Sequence, residues 1–230
     1  MLMKILITSG GTTEAIDSVR GITNHSTGRL GKVIAETFLN QGHEVTLITT
    51  KQALKPESHP HLALNIISSV ANLQEALEAL VPQHNVLIHA MAVSDYTPVY
   101  MTDLDELKQT SDIDQLLEKS NSETKISSKS DYQVLFLKKT PKLISQVKRW
   151  NPNIKLIGFK LLVDVSKEEL VSVARDSLRN NRADFILAND LSQITASHHQ
   201  AWLVGYDTVQ EATTKTEIAK LIYKEVIKDD

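Results

Sequence analysis

The segment from Lys4 to Gly42 constrains the fold more than any other part of the chain. It opens with the apolar run at residues 5–7, passes through two glycine-containing clusters, and then places apolar residues at helical spacing. A short buried strand that leads into a glycine-rich turn and a helix is typical of a nucleotide site on a doubly wound sheet. We therefore predict an α/β fold of Rossmann-like topology, with a mostly parallel sheet and an antiparallel edge hairpin near Trp202.

Glycines flank the connection between the first strand and the first helix, with Gly10 and Gly11 on one side and Gly28 and Gly31 on the other. Glycine lacks a Cβ, so backbone N–H groups can approach a phosphate closely, and a helix N-terminus adds a favourable dipole. Neither cluster matches G-x-G-x-x-G or G-x-x-x-x-G-K-[ST]. A tight turn before a capped helix is the alternative, but the connection over residues 9–25 is long, which favours a site.

Polar side chains lie between and beside the two glycine clusters. Arg20 and Asn24 are potential hydrogen-bond donors to a bound anion. Ser26 or Thr27 is expected to cap the first helix, because a hydroxyl oxygen can accept from the free N–H groups at a helix start.

The run from Gly10 to Gly31 resembles the signature of phosphopantothenate–cysteine ligase, G-(G/P)-T-x-E-x-(I/L)-D-P-V-R-x-I-(S/T)-N-x-S-S-G-K-M-G. It departs from that signature mildly at Ser18, Thr27 and Arg29. The resemblance covers nearly the whole chain and suggests the stand-alone bacterial form. It implies that Asn24 contacts the activated acyl group, and that nucleotide or substrate is bound by Gly10, Gly11, Thr12, Arg20, Ser26, Thr27 and Gly28.

Later segments resemble the same family. Ala92 to Tyr96 is similar to A-x-V-(A/S)-D-(Y/F), which implies that Ala92 and Asp95 bind the nucleotide. From the residues alone, a turn or helix-cap role for Asp95 is an equal alternative. Lys125 and Lys129 are similar to a K-I-K-K flap that closes over the nucleotide, which implies a catalytic role for Lys125, although a lysine-rich loop is usually only solvated.

The second half of the chain continues the resemblance. The segment from Lys139 to Ile144 is similar to K-(N/T)-P-D-I, with Lys142 in place of aspartate, and we expect a helix with Pro141 in its first turn. The family's triphosphate lysines correspond to Ser177 and Asn181, so the triphosphate contacts stay open. These segments imply further binding residues at Lys139, Pro141, Ile144, Phe159, Asn189 and Asp190.

Composition excludes several classes of protein. The chain has 230 residues, no cysteine and a net charge of -3, so disulfides and thiolate metal sites are excluded. The sequence has no basic stripe of the kind that binds nucleic acid. No apolar run approaches the roughly 20 residues that a membrane span needs. The chain begins a strand almost at once, which leaves no room for a signal peptide. We expect one cytoplasmic domain over residues 1–230, with a polar excursion at about 100–130 that contributes to a homodimer.

The resemblance also implies the reaction and its substrates. A nucleoside triphosphate would activate 4′-phosphopantothenate, with CTP favoured over ATP, and the acyl-nucleotidyl intermediate would react with L-cysteine. Mg²⁺ would be held by substrate phosphates, because no protein ligand is evident. No flavin is expected, since that cofactor belongs to phosphopantothenoylcysteine decarboxylase, a separate pathway neighbour.

Two other functions are alternatives to the ligase. A short-chain reductase that uses NAD(P) needs Tyr-x-x-x-Lys, and none of the five tyrosines has lysine four residues on. A nucleotide sensor without enzymatic activity also fits the fold, since fold alone does not fix function.

Overall fold

The computed structural model describes residues 2–121, 124–127, 129–195 and 197–228. In these ranges the strands are β1 (Lys4–Ser9), β2 (Thr13–Ala15), β3 (Gly21–Thr23), β4 (Glu44–Thr50), β5 (Leu62–Ile67), β6 (Val86–His89), β7 (Tyr96–Asp103), β8 (Gln133–Lys139), β9 (Lys155–Leu162), β10 (Phe185–Ile194), β11 (His199–Val204) and β12 (Val209–Ala212). The α-helices are α1 (Arg29–Asn40), α2 (Val70–Leu80), α3 (Leu104–Gln109), α4 (Asp114–Leu117), α5 (Val147–Trp150), α6 (Lys167–Asn181) and α7 (Lys215–Ile227).

One eight-stranded sheet has the order β12-β11-β10-β9-β6-β1-β4-β5. Six consecutive strands of this sheet pair in parallel with one another: β10, β9, β6, β1, β4 and β5. Strands β11 and β12 extend the sheet as an antiparallel hairpin. The predicted doubly wound α/β fold with an antiparallel edge hairpin is therefore confirmed. After β1, strands β4 and β5 extend one edge of the sheet, whereas the strands from β6 onward extend the opposite edge. The boundary between β1 and β6 is therefore the switch point, where ligands bind on such sheets.

Two apolar layers cover the faces of the sheet. Ile5 and Ile7 point to one face and Leu6 to the other, because side chains alternate along a strand. The first face packs against α1 and α7, where the rings of Phe38 and Tyr223 meet edge to face at 5.3 Å. Burial of each such aliphatic side chain stabilises the fold by about 1.5–3 kcal/mol, so β1 is held firmly at the centre of the sheet.

The excursion at about residues 100–130 contains the end of β7 and the short helices α3 and α4. Strands β7 and β8 form a separate antiparallel ribbon, with α3 and α4 between them in sequence. Ser122 and Glu123, which belong to the same predicted excursion, lie outside the described residues.

One local prediction near the cavity is wrong. The helix expected to have Pro141 in its first turn begins later, as a 3₁₀ turn at Leu143–Gln146 that leads into the short α5. The long first connection contains the β2–β3 hairpin. No helix in the described ranges has an apolar stretch long enough to cross a membrane.

Candidate functional site

A cavity of about 600 Å³ opens at the carboxyl ends of the central parallel strands. Its lining includes Ser9 at the end of β1, His89 at the end of β6 and Asn189 within β10. Residues 28–31 at the start of α1 close another side. The cavity thus lies at the switch point between β1 and β6, where the fold class places its ligands.

The first glycine cluster is required by packing within the protein. Gly10 has a φ of 91°, and a Cβ on it would lie 2.8 Å from the Cβ of Ala53. A Cβ on Gly11 would lie 2.1 Å from the carbonyl oxygen of Asn24. Neither glycine lines the cavity, so the space left by their missing side chains is filled by the chain itself rather than by a ligand.

The second glycine cluster does line the cavity. Gly28, with a φ of 73°, is the N-cap of α1 and has no side chain to cap it. Neither Ser26 nor Thr27 is the N-cap residue, although Thr27 Oγ1 accepts a hydrogen bond of 3.4 Å from the N–H of Arg29, the first residue of α1. A helix N-terminus capped by glycine keeps further N–H groups and a positive dipole end available for an anion.

Asn24 ties the first connection to the segment that follows β6. Its Nδ2 donates to the carbonyl of Val93 at 3.1 Å. Thr12 strengthens the same link, since its hydroxyl donates to Ser94 Oγ at 3.0 Å and accepts from the Ser94 N–H at 2.9 Å. Thr12 is buried and does not line the cavity. Its hydrogen bonds therefore hold the two segments together rather than contact a ligand.

Many predicted site residues are brought together at this cavity. Asp95 is there, paired at 3.4 Å with Lys142, but both side chains are 69% exposed, so the pair contributes little to stability. The predicted residues that line the cavity are Asn24, Ser26, Thr27, Gly28, Ala92, Asp95, Pro141, Ile144, Phe159 and Asn189.

Asp190 does not line the cavity and makes its hydrogen bonds within the protein. Its carboxylate accepts hydrogen bonds from the backbone N–H groups of Asp164 and Val165, at 3.1 and 2.9 Å, and from Ser192. These bonds lower the pKa of Asp190 to about 2. The carboxylate thus fixes the turn after β9. Lys139 is exposed at the end of β8 and does not line the cavity.

Arg20 and Lys125 also lie outside the cavity lining. Arg20 is bound to Asp17 and to the carbonyl of Ile126, the residue after Lys125. Lys125 itself is exposed. Ser128, within the predicted flap, lies outside the described residues.

The cavity contains polar residues that the sequence did not single out. His89 is buried with its Nδ1 2.8 Å from Thr8 Oγ1, and burial lowers the pKa of His89 to about 4. The sequence feature that could have identified His89 is its position at the end of a central strand. His199, Lys160 and Lys215 also line the cavity, and their sequence neighbourhoods give no comparable signal.

The charge of the lining is opposite to that of the chain. Among the described residues, the cavity lining has a single carboxylate, Asp95, against four cationic side chains, Arg29, Lys142, Lys160 and Lys215. The chain as a whole has a net charge of -3. A concave site with this surplus attracts anionic ligands.

Comparison with known protein families identifies the family of this chain. Residues 2–121 and 114–229 match the family described as DNA/pantothenate metabolism flavoprotein C-terminal domain. The chain belongs to this family. It is 34% identical to the coenzyme A biosynthesis bifunctional protein CoaBC of Thermococcus kodakarensis, over 98% of this chain and 51% of that protein. It therefore spans about half the length of the curated relatives it matches first.

Solved structures of the family have the same fold. The DNA/pantothenate metabolism flavoprotein from Streptococcus pneumoniae superposes with a TM-score of 0.94 at 58% identity, covering 97% of this chain and 98% of that one. The C-terminal domain of a coenzyme A biosynthesis bifunctional protein CoaBC superposes with a TM-score of 0.74 at 27% identity, covering 99% and 97% of the two chains.

Proposed function

We propose that the chain is a phosphopantothenate–cysteine ligase of coenzyme A biosynthesis. The observation that supports this most is the cationic cavity at the switch point, which is bounded by Asn24 and by the N-terminus of α1. Both belong to the run that resembles the ligase signature. The names of the relatives, which refer to coenzyme A biosynthesis and pantothenate metabolism, are consistent with the same reaction.

Two group transfers make up the proposed reaction. A carboxylate oxygen of 4′-phosphopantothenate bonds to the α-phosphorus of the nucleotide as the bond to pyrophosphate breaks. The amine of L-cysteine then bonds to the acyl carbon, the nucleoside monophosphate leaves, and the amine loses a proton. Neither step needs a nucleophile from the protein, so the site has to position the substrates and stabilise developing negative charge.

The residues of the cavity suit these tasks. The Asn24 amide is a donor near the acyl group, the start of α1 favours phosphate oxygens, and Lys125 would approach when its segment closes over the nucleotide. We propose CTP as the preferred nucleotide, with ATP as the alternative. The described residues contain no group of three His, Asp or Glu side chains able to hold a metal ion. Mg²⁺ would therefore be held by substrate phosphates.

A homodimer is part of the proposal. The excursion exposes large apolar side chains, since Ile113 and Leu117 are 55% and 52% exposed and Tyr132 beside the β7–β8 ribbon is 72% exposed. Two-fold pairing of the ribbon with a second copy would cover them, and such pairing is common among soluble proteins.

Pyrophosphate release measured with CTP and with ATP, each with and without L-cysteine, tests the function. We expect release that depends on 4′-phosphopantothenate, faster with CTP, and phosphopantothenoylcysteine only when cysteine is present. Binding of NADPH without any pyrophosphate release would favour the reductase. Binding of nucleotide without turnover would favour the sensor.

A further inference from the structure

One corner of the cavity has a buried imidazole that lacks a complete set of partners. His199 is 5% exposed, and its Nε2 lies 3.1 Å from the Nδ2 of Asn189. With the Asn189 amide in this orientation, its Nδ2 donates to Nε2, and the neutral ring then has its proton on Nδ1. Within the described part of the chain, Nδ1 has no hydrogen-bond partner. A buried donor left unpaired is costly, and a bound acceptor is one explanation for it.

Two cations, Arg29 and Lys215, line the cavity together with this imidazole. Burial and the positive charge of Arg29 lower the pKa of Lys215, and burial and the positive charge of Lys215 lower the pKa of His199 to about 4. Lys215 is thus an electrostatic neighbour of both His199 and Arg29. Among the described residues, neither Arg29 nor Lys215 forms an ion pair with a carboxylate.

The fold explains why these residues converge. Arg29 is the first residue of α1 and Lys215 is the first residue of α7, and the two helices pack together on one face of the sheet. His199 begins β11 opposite Ile194 of β10, and its ring reaches the Asn189 side chain where the register of the two strands shifts. Two cations that repel each other next to a buried donor are stabilised by an anion with more than one charge and several acceptor oxygens. A phosphate group satisfies both conditions.

We propose that Arg29, His199 and Lys215 form a subsite for a phosphate group at this corner of the cavity. The inference rests on the proposed function in that both proposed phosphorylated substrates, the nucleotide and 4′-phosphopantothenate, can supply the group. The α6 side chains that border the same cavity, Ser177 and Asn181, are neutral. The positive charge of the subsite therefore comes from the starts of α1 and α7.

Equilibrium titration of the full chain with inorganic pyrophosphate, CTP and 4′-phosphopantothenate tests the subsite. Lys215→Gln is the main variant, and Lys220→Gln is the matched control, since it removes the same charge from an exposed position on the same helix. Loss of a charge-assisted hydrogen bond corresponds to about 10- to 100-fold weaker binding. We expect this loss for pyrophosphate with Lys215→Gln, no change with Lys220→Gln, and partial recovery with Lys215→Arg.

The two natural ligands then identify the source of the phosphate. Weaker binding of CTP alone assigns the subsite to the nucleotide, and weaker binding of 4′-phosphopantothenate alone assigns it to the other substrate. Unchanged binding of all three ligands by a folded Lys215→Gln protein overturns the subsite while leaving the ligase proposal intact. Conversely, pyrophosphate binding that depends on Lys215, in a protein without ligase activity, supports the subsite and overturns the ligase. His199→Gln, checked for folding by thermal unfolding, is expected to weaken the same ligand as Lys215→Gln.

Discussion

The Asp17 carboxylate accepts a hydrogen bond of 3.1 Å from the backbone N–H of Ile126, a residue 109 positions away. The Arg20 guanidinium completes the link, since it donates to the same carboxylate at 3.0 Å and to the Ile126 carbonyl at 2.9 Å. The Arg20 side chain and backbone N–H groups hold the pKa of Asp17 well below its usual range. The β2–β3 hairpin thus anchors the segment that contains Lys125.

Asp17→Asn should loosen this anchor. The neutral amide weakens the bonds to Arg20 and Ile126, so we expect hydrogen exchange at residues 124–127 to speed up about tenfold or more. Ligase turnover should slow as well, because Lys125 would be positioned less often. The control is Asp207→Asn, which changes an exposed carboxylate on the β11–β12 turn. Exchange that is unchanged in the Asp17 variant would contradict the anchoring role.

Lys125→Gln should separate chemistry from anchoring. This change removes the exposed charge and leaves the bonds of Ile126 in place, so turnover should slow while the free energy of unfolding stays constant. In the unaltered protein, addition of CTP should protect residues 124–127 from exchange. Equal protection with and without CTP would argue against a flap that closes over the nucleotide.

Asn24→Ala should abolish most ligase activity without unfolding the chain. Loss of a donor that acts mainly in the transition state typically slows a reaction by about 10²–10³. The variant also loses the bond to the Val93 carbonyl, so its thermal midpoint has to be measured beside its turnover. Asn153→Ala, at an exposed position before β9 and away from the cavity, is the control. Turnover equal to that of the control would remove Asn24 from the mechanism.

The exposed apolar surface of the excursion predicts an interface between two copies. Replacement of Ile113 and Leu117 by aspartate should shift the protein from dimer to monomer in light scattering, because a buried charge without a partner opposes association. Leu64→Asp, on the edge strand β5 and 47% exposed, should leave the dimer intact. A fully active monomer at micromolar concentration would refute the interface.

Acidification should destabilise the fold through His89. Its pKa is lowered from 6.5 to about 4 in the folded chain, chiefly by burial, so the unfolded chain binds the proton more readily. The stabilising contribution is therefore complete above pH 6.5 and is lost as the pH falls toward 4. Between pH 7 and pH 5 the loss should be about 2 kcal/mol. Urea unfolding at both pH values measures it, and His89→Gln should reduce the dependence. An equal dependence in the variant would contradict this account.

Hydrophobic periodicity was sufficient to predict the sheet and most helices. Helix α6 (Lys167–Asn181) is an example, because one apolar face and the cap at Ser166 both define it locally. Strand β7 was hidden because its pairing with β8 is a long-range property, and Pro98 within it is unfavourable for a strand.

The candidate site was predicted less completely than the fold. Side chains near the ends of β1 and β6 could be located, because parallel strands bring their carboxyl ends to one edge. The roles of Gly10 and Gly11 could not, since only the packed chain reveals that Ala53 and the Asn24 backbone occupy the space beside them. Likewise, Lys215 reaches the cavity only through the packing of α7 on α1.

The strand order of the sheet has a consequence for synthesis on the ribosome. After β1, strands β4 and β5 join one edge, and β6, β9, β10, β11 and β12 join the other edge in the order in which they are made. Each emerging strand of the nascent chain therefore meets an edge that is already present, and none has to be inserted between two earlier strands. The cavity, in contrast, takes residues from Ser9 through Lys215. A nascent chain can thus build most of its sheet well before it becomes competent to bind substrate.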